Sequence, residues 1–355
     1  MELLNKTVKG IKPIDELAKS EAIIHLDNLI KPIGSLGTLE NIAAKLTGIT
    51  GQRSNSFEKK CTIVMAADNG IHEEGVSSCP QEITAMQTIN MTKGITGICV
   101  LSKHAGAEVV IVDIGVKGDL NSAGIINRKI SHGTSNMAKG PAMTREQAVT
   151  AIEVGIDLVG EWVSKGYKLF GTGEMGICNT STSSAVLMAL TDISVENSVG
   201  KGAGLTDADY EHKKRVIERA LEINKPDKND VLDVISKVGG YDIAGMAGCF
   251  LGAAYYRVPI VIDGFISTVA ALAAYKLNPL VGDYMFASHC SEENGYKHAI
   301  NILGLEPMLN LHMRLGEGTG CPLAFNIIEA SQAVISNMAT FEQAVLRDDY
   351  LVDIR

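Results

Sequence analysis

Five short apolar runs punctuate the chain, at 61–67, 108–114, 168–171, 259–263 and 284–288, and each gives way to a loop and a helix-like segment. Runs this continuous belong to strands covered on both faces. Their alternation with helical stretches predicts an α/β fold, a parallel Rossmann-like sheet with helices on both sides. Asp68, Asp113, Thr172 and Asp263 fall where such strands would reach their carboxyl edge. Ligands of open parallel sheets bind there.

The two ends differ from the middle. Residues 13–30 and 323–347 carry helical patterns without intervening strands. They predict a small helical domain assembled from both termini, 1–58 and 291–355, beside a large α/β domain at 59–290 that carries the active-site loops. The most apolar stretch, 243–275, imitates a membrane span, but Arg257, Pro259 and Asp263 interrupt it. It reads as helix, strand, helix in a soluble protein.

Composition narrows the function. The 355 residues include 36 glycines and are 46% hydrophobic but only 5% aromatic, which suits an enzyme of many short βα units. A net charge of −9 with no Lys/Arg-rich block argues against nucleic acid, so any phosphate site must be local. Seven cysteines without a C-x-x-C pair point to reduced thiols in a cytoplasm, not to a disulfide scaffold or structural zinc. The N-terminus carries no secretory signal pattern.

Two loops hold the sharpest candidate chemistry. Arg314-Leu-Gly-Glu-Gly-Thr-Gly320 and Gly171-Thr-Gly-Glu-Met-Gly-Ile-Cys-Asn-Thr180 each set one glutamate among glycines. Glycines let the backbone approach a ligand closely and leave amides free for an anion. Glu317, between Gly316 and Gly318, has apolar flanks, and partial burial there would suit it to take a proton near neutrality. Glu174 falls at the exit of an apolar strand.

Other segments are weaker. Gly200-Lys-Gly-Ala-Gly204 precedes a helix at 207–222 with Thr206 as N-cap, and such loops bind phosphate at helix N-termini. It is neither a P-loop nor a dinucleotide fingerprint, and an ordinary helix entry explains it as well. Lys213, two turns further on, reads by itself as a solvated lysine unless a phosphate lies near. The hydroxyl run at 179–184 reads as helix capping, and the 68–75 turn as a hydrophilic loop, with Asp68 and His72 a thin metal set. No G-x-S-x-G elbow supports hydrolase chemistry.

In order and spacing these segments resemble the nicotinate-nucleotide–dimethylbenzimidazole phosphoribosyltransferase family over almost the whole chain. The resemblance is carried by Lys31-Pro-Ile-Gly-Ser-Leu-Gly37, the 68–81 turn, Asn90-Met-Thr-Lys-Gly-Ile-Thr-Gly97, Gly173-Glu-Met-Gly-Ile177, Gly239-Gly-Tyr-Asp-Ile-Ala244, Asp263-Gly-Phe265 and Arg314–Gly320. It implies a cytoplasmic enzyme, usually a dimer, that needs neither metal nor cofactor. The donor would be nicotinate mononucleotide, and attack on its anomeric carbon from the opposite face would release nicotinate. The family's catalytic base maps onto Glu317 and its second acid onto Glu174. Gly176, Gly202, Lys213 and Ser291 map around the donor phosphate, with Gly316 and Gly318 beside them.

The chain departs from the family pattern in the base pocket, around Ser78 and Cys79. Cys79 stands at the usual tyrosine and Met86 at the usual glutamine, with Gln87 expected to face elsewhere on its helix. The family's Asp-His-Gly is Asp68-Asn69-Gly70, and its Gly-Gly-x-Glu ends in Asp242. Loss of a ring and an amide implies a pliable pocket that takes bases beyond dimethylbenzimidazole, such as adenine, simple benzimidazoles, phenol or p-cresol. Phenol-activating relatives pair unlike subunits, so a heterodimer with a paralogue joins the homodimer among the expectations.

Overall fold

Seven strands build one sheet in the computed structural model, which describes residues 1–355 except Asn121, Ala203, Tyr350 and Arg355. They are β1 (Lys60–Ala67), β2 (Glu108–Gly115), β3 (Ile125–Asn127), β4 (Leu169–Met175), β5 (Ile260–Ile262), β6 (Met285–His289) and β7 (Pro307–Leu309). Their order is β3-β2-β1-β4-β5-β6-β7, and every pairing is parallel. The chain winds one way from β1 to β3 and the other way from β4 to β7. The reversal lies between β1 and β4, so the carboxyl ends of those two strands flank the crevice where such sheets bind ligands.

The five apolar runs are the five inner strands. The edge strands β3 and β7 are three residues each with none of them buried, too short to stand out as apolar runs. β4 runs past the expected end at Gly171 to Met175, pairing Glu174 with Met65 of β1. Two glycines disguised it, and both mark a close approach from another segment. A Cβ at Gly171 would lie 2.6 Å from Cys321 Cβ, and one at Gly173 would strike the Glu317 carbonyl.

The apolar stretch resolves into the helices Tyr241–Tyr255 and Phe265–Leu277 with β5 between them. Its glycines let two helices touch: a Cβ at Gly248 would strike the Ile152 carbonyl of the helix Arg145–Ser164. Among the described residues no helix is long and apolar enough to cross a membrane.

Both termini contribute to one satellite cluster, in which Ala22, Leu26, Leu29, Ala43, Ala44 and Ile335 pack together. The first five belong to the N-terminal segments and Ile335 to the helix Gly320–Asn337. That helix also reaches the sheet, where Cys321 Sγ lies 3.4 Å from the Thr172 carbonyl oxygen. Its N-terminus thereby stands beneath the strand ends.

Candidate active site

The two glutamate loops meet. Gly316, Glu317 and Gly318 have φ of +85°, +62° and +92°, a left-handed run that only glycine adopts without strain. Glu317 is the one side chain forced into it, a form of strain that clusters at functional sites. Its N–H donates to Glu174 Oε1 at 3.3 Å. Asp263, directly after β5, anchors the turn by accepting from the Gly318 and Gly320 amides at 3.0 and 2.7 Å. Burial pushes the Asp263 carboxyl up to about 7, against the pull of those amides. A Cβ on Gly318 would lie 2.7 Å from Thr62 Cγ2 at a φ that side chains resist. Gly318→Ala is therefore expected to lower stability by about 1–3 kcal/mol, read as a fall in melting temperature; an unchanged melting point would contradict this packing.

The Glu317 carboxylate is gripped at both oxygens. Oε1 accepts from Gln87 Nε2 at 2.8 Å, and Oε2 from the Ile98 amide at 3.2 Å, in the first turn of the helix Gly97–His104. This corrects the expectation for Met86 and Gln87. On the helix Ile83–Thr92 the buried face is Thr84, Thr88 and Met91, and the helical period puts Gln87 beside it. Met86 points away, is 57% exposed and does not line the cavity that holds Glu317. The amide that seemed lost is supplied one position later.

Glu174 is buried, and that burial, reinforced by the charge of Asp242, pushes its carboxyl up to about 8 against the hydrogen bond from Asn179. Burial therefore favours its protonated form. Lys213 is 1% exposed, so it is not the solvated lysine that its local sequence described. Its Nζ donates to Thr180 Oγ1 at 3.0 Å and to the Gly200 carbonyl at 3.1 Å. No carboxylate pairs with it among the described residues, and burial lowers its amine to about 8, with Glu293 the strongest opposing charge. The helix carrying it, Asp207–Asn224, is capped by Thr206, whose Oγ1 accepts from the Asp209 amide. The hydroxyls at 180–184 do not cap their helix Asn179–Thr191, which has no side-chain cap.

One cavity of about 280 Å³ gathers these groups, and Ser78, Cys79, Gln87, Glu174, Gly176, Gly202, Lys213, Ser291, Gly316 and Glu317 all line it. Gly202 takes φ +54° and a Cβ there would stand 3.6 Å from Lys213 Nζ; its neighbour Ala203 lies outside the described residues. Gly176 lines the cavity but packs hard against Ala67, whose carbonyl a Cβ would strike. Gly318 is not at the wall, and its amide is already given to Asp263, which removes it from the anion-binding set.

Gln87, Asn179, Asp263 and Arg314 line the cavity without standing out in the sequence as site residues, although Asp263 is a polar residue at a strand end. Arg314 lines the same cavity from an exposed position. Asp68 and His72 are engaged elsewhere, by the Lys117 amide and the Cys79 carbonyl. Among the described residues no group of three or more His, Cys, Asp or Glu could hold a metal ion.

A buried amine and two buried carboxyl groups meet at the switch point of a parallel sheet, and a family model described as a phosphoribosyltransferase matches residues 11–346. The nicotinate-nucleotide–dimethylbenzimidazole phosphoribosyltransferase of Clostridium tetani is 55% identical, covering 100% of this chain and 98% of its own. That of Clostridium acetobutylicum is 54% identical, covering 96% and 97%. The crystal structure of CobT from Thermus thermophilus superposes with a TM-score of 0.90 at 35% identity, over 93% of this chain and 99% of that one. The chain belongs to the nicotinate-nucleotide–dimethylbenzimidazole phosphoribosyltransferase family.

Proposed function

We propose that the chain moves the 5-phosphoribosyl group of nicotinate mononucleotide, with inversion, onto an aromatic base of the dimethylbenzimidazole type. The unprotonated ring nitrogen of the base attacks the anomeric carbon. The bond from that carbon to the pyridinium nitrogen breaks, and its electron pair neutralises the departing ring. The new riboside's ring then loses the N–H proton of its other nitrogen to Glu317. Products are an α-riboside 5′-phosphate and nicotinate.

The observation that carries this reading is the sharing of one cavity by Lys213 and Glu317. Thr180 and Gly200 hold the lysine, while Gln87 and Ile98 hold the glutamate. A phosphate binds the buried amine, which forms no ion pair among the described residues and feels Glu293 only as a more distant charge, with the Gly202 turn and Ser291 beside it. The base binds against Gln87 and Glu317. Glu174, carrying a proton, donates toward the ribose or the departing nicotinate.

Acceptor choice follows from the corrected pocket. Gln87 keeps a polar handle, whereas Cys79 offers a thiol where a ring would stack, so simple benzimidazole should be used alongside dimethylbenzimidazole. The test offers nicotinate mononucleotide with dimethylbenzimidazole, benzimidazole, adenine, phenol and p-cresol together, and weighs the products by mass spectrometry. Two benzimidazole products with nicotinate in equal amount are expected. Exclusive use of dimethylbenzimidazole would overturn the breadth, dominance by a phenol would overturn the role of Gln87, and no nicotinate release would overturn the transfer. A dimer, of two copies or with a paralogue, belongs to the same reading; sedimentation of a monomer in the presence of both substrates would count against it.

A further inference from the structure

Behind Glu174 lies a second buried acid that no step above uses. Asp242 is fully buried in the first turn of the helix Tyr241–Tyr255. The side-chain amide of Asn179 donates both to Asp242 Oδ2, at 3.1 Å, and to Glu174 Oε2. The other oxygen of Glu174 accepts from the Glu317 backbone amide. Asp242, Asn179, Glu174 and the Glu317 backbone therefore form one continuous chain of contacts. Two glycines make room for it: a Cβ at Gly176 would lie 3.1 Å from Asp242 Oδ2, and one at Gly240 would strike Oδ1. Asp242 Oδ1 accepts from the Ile243 amide at 3.0 Å.

We infer that Asp242, acting through Asn179, is a positioning residue for Glu174, locking the plane of its carboxyl group so that Glu174 faces the donor as a hydrogen-bond donor. Asp242 itself is not among the residues lining the cavity. An amide with two hydrogens suits the task, because it can bind two carboxyl groups at once and so fixes their separation. Like charge is the other half of the device. The Asp242 charge favours the proton on Glu174, and the charged groups facing Glu174 from the remaining elements are Asp263, which acts the same way, and Glu317, which faces it through its backbone amide. Asp68 in turn acts on Asp242.

The inference rests on the transfer reading for its purpose, so its test includes a readout that needs no turnover. Infrared difference titration follows the protonated carboxyl of Glu174, identified by its disappearance in Glu174→Gln. Asp242→Asn, which keeps the shape and removes the charge, should move that titration to lower pH by about one unit or more. Asn179→Asp, which adds a charge on the other side, should move it to higher pH, and Asp242→Glu should leave it near the native position. With saturating donor the alkaline limb of kcat should follow the same three directions. A merely structural role would lower activity at every pH without moving either titration. Shifts of one sign in both charge variants, or none in a variant whose melting curve remains cooperative, would overturn the inference. Shifts in the infrared titration with no nicotinate release by the native protein would instead overturn the transfer reading and leave the positioning intact.

Discussion

Glu317→Gln should lower kcat for dimethylbenzimidazole by about 10²–10⁴-fold, the range that a positioned general base contributes. The substitution keeps the shape of the side chain, and the backbone turn at φ +62° does not depend on the carboxylate. It does disturb the grip: a glutamine oxygen can accept from either Gln87 or Ile98, and its amide then faces the other donor. A loss of activity alone would therefore not separate base from scaffold. The acceptor can separate them. 1-Methylbenzimidazole still attacks through its free nitrogen, but it has no N–H proton to lose. If Glu317 is the base, the variant should use this acceptor about as fast as the native protein while failing with dimethylbenzimidazole. Equal impairment with both acceptors would reduce Glu317 to a structural part, and near-native kcat with dimethylbenzimidazole would remove it from the mechanism.

How much of this could be read from the sequence depended on whether the signal was local. Inner strands announce themselves because both faces are covered and nearly every residue is apolar, as in β1, buried at all eight positions. The three-residue edge strands β3 and β7 have no such covering. Glycine in β4 read as the end of a strand, when Gly171 and Gly173 were allowing Cys321 and Glu317 to come in from the far end of the chain. The pairing of the two glutamate loops was legible from their shared pattern. The side on which Gln87 faces was not, because one residue on a helix is a 100° rotation and the pattern inherited from relatives was one residue out. Lys213 was the clearest failure of local reading: a lysine in a polar helix looks solvated until the Gly200 loop folds over it.

That burial makes Lys213 the source of a prediction with two opposite signs. Removing the charge in Lys213→Met should raise KM for nicotinate mononucleotide by about 10–10³-fold, since a charge-assisted hydrogen bond contributes about 1.5–3 kcal/mol and truncating a buried charge partner more. The same change should make the unliganded protein more stable. Burial lowers this amine to about 8, whereas in the unfolded chain a lysine titrates near 10.4. Between those values the unfolded chain holds the extra proton, so stability rises with pH across the interval. Below about 8 the folded protein carries a charged amine out of water that the more distant charge of Glu293 offsets only in part, and that penalty is what methionine would remove. Melting temperature at neutral pH should therefore go up in the variant, and its rise with pH should flatten. Inorganic phosphate should stabilise the native protein and leave the variant unmoved. In the native protein KM for the donor should climb as pH passes about 8, where the amine loses the charge that holds the phosphate. A variant with lower melting temperature at pH 7 would mean that the amine's bonds to Thr180 and Gly200 outweigh its desolvation. A variant with native KM would mean that the phosphate is held elsewhere. Obtaining both signs together would identify the lysine as a group kept for binding at the expense of the fold, as expected where a site breaks a rule that the rest of the protein obeys.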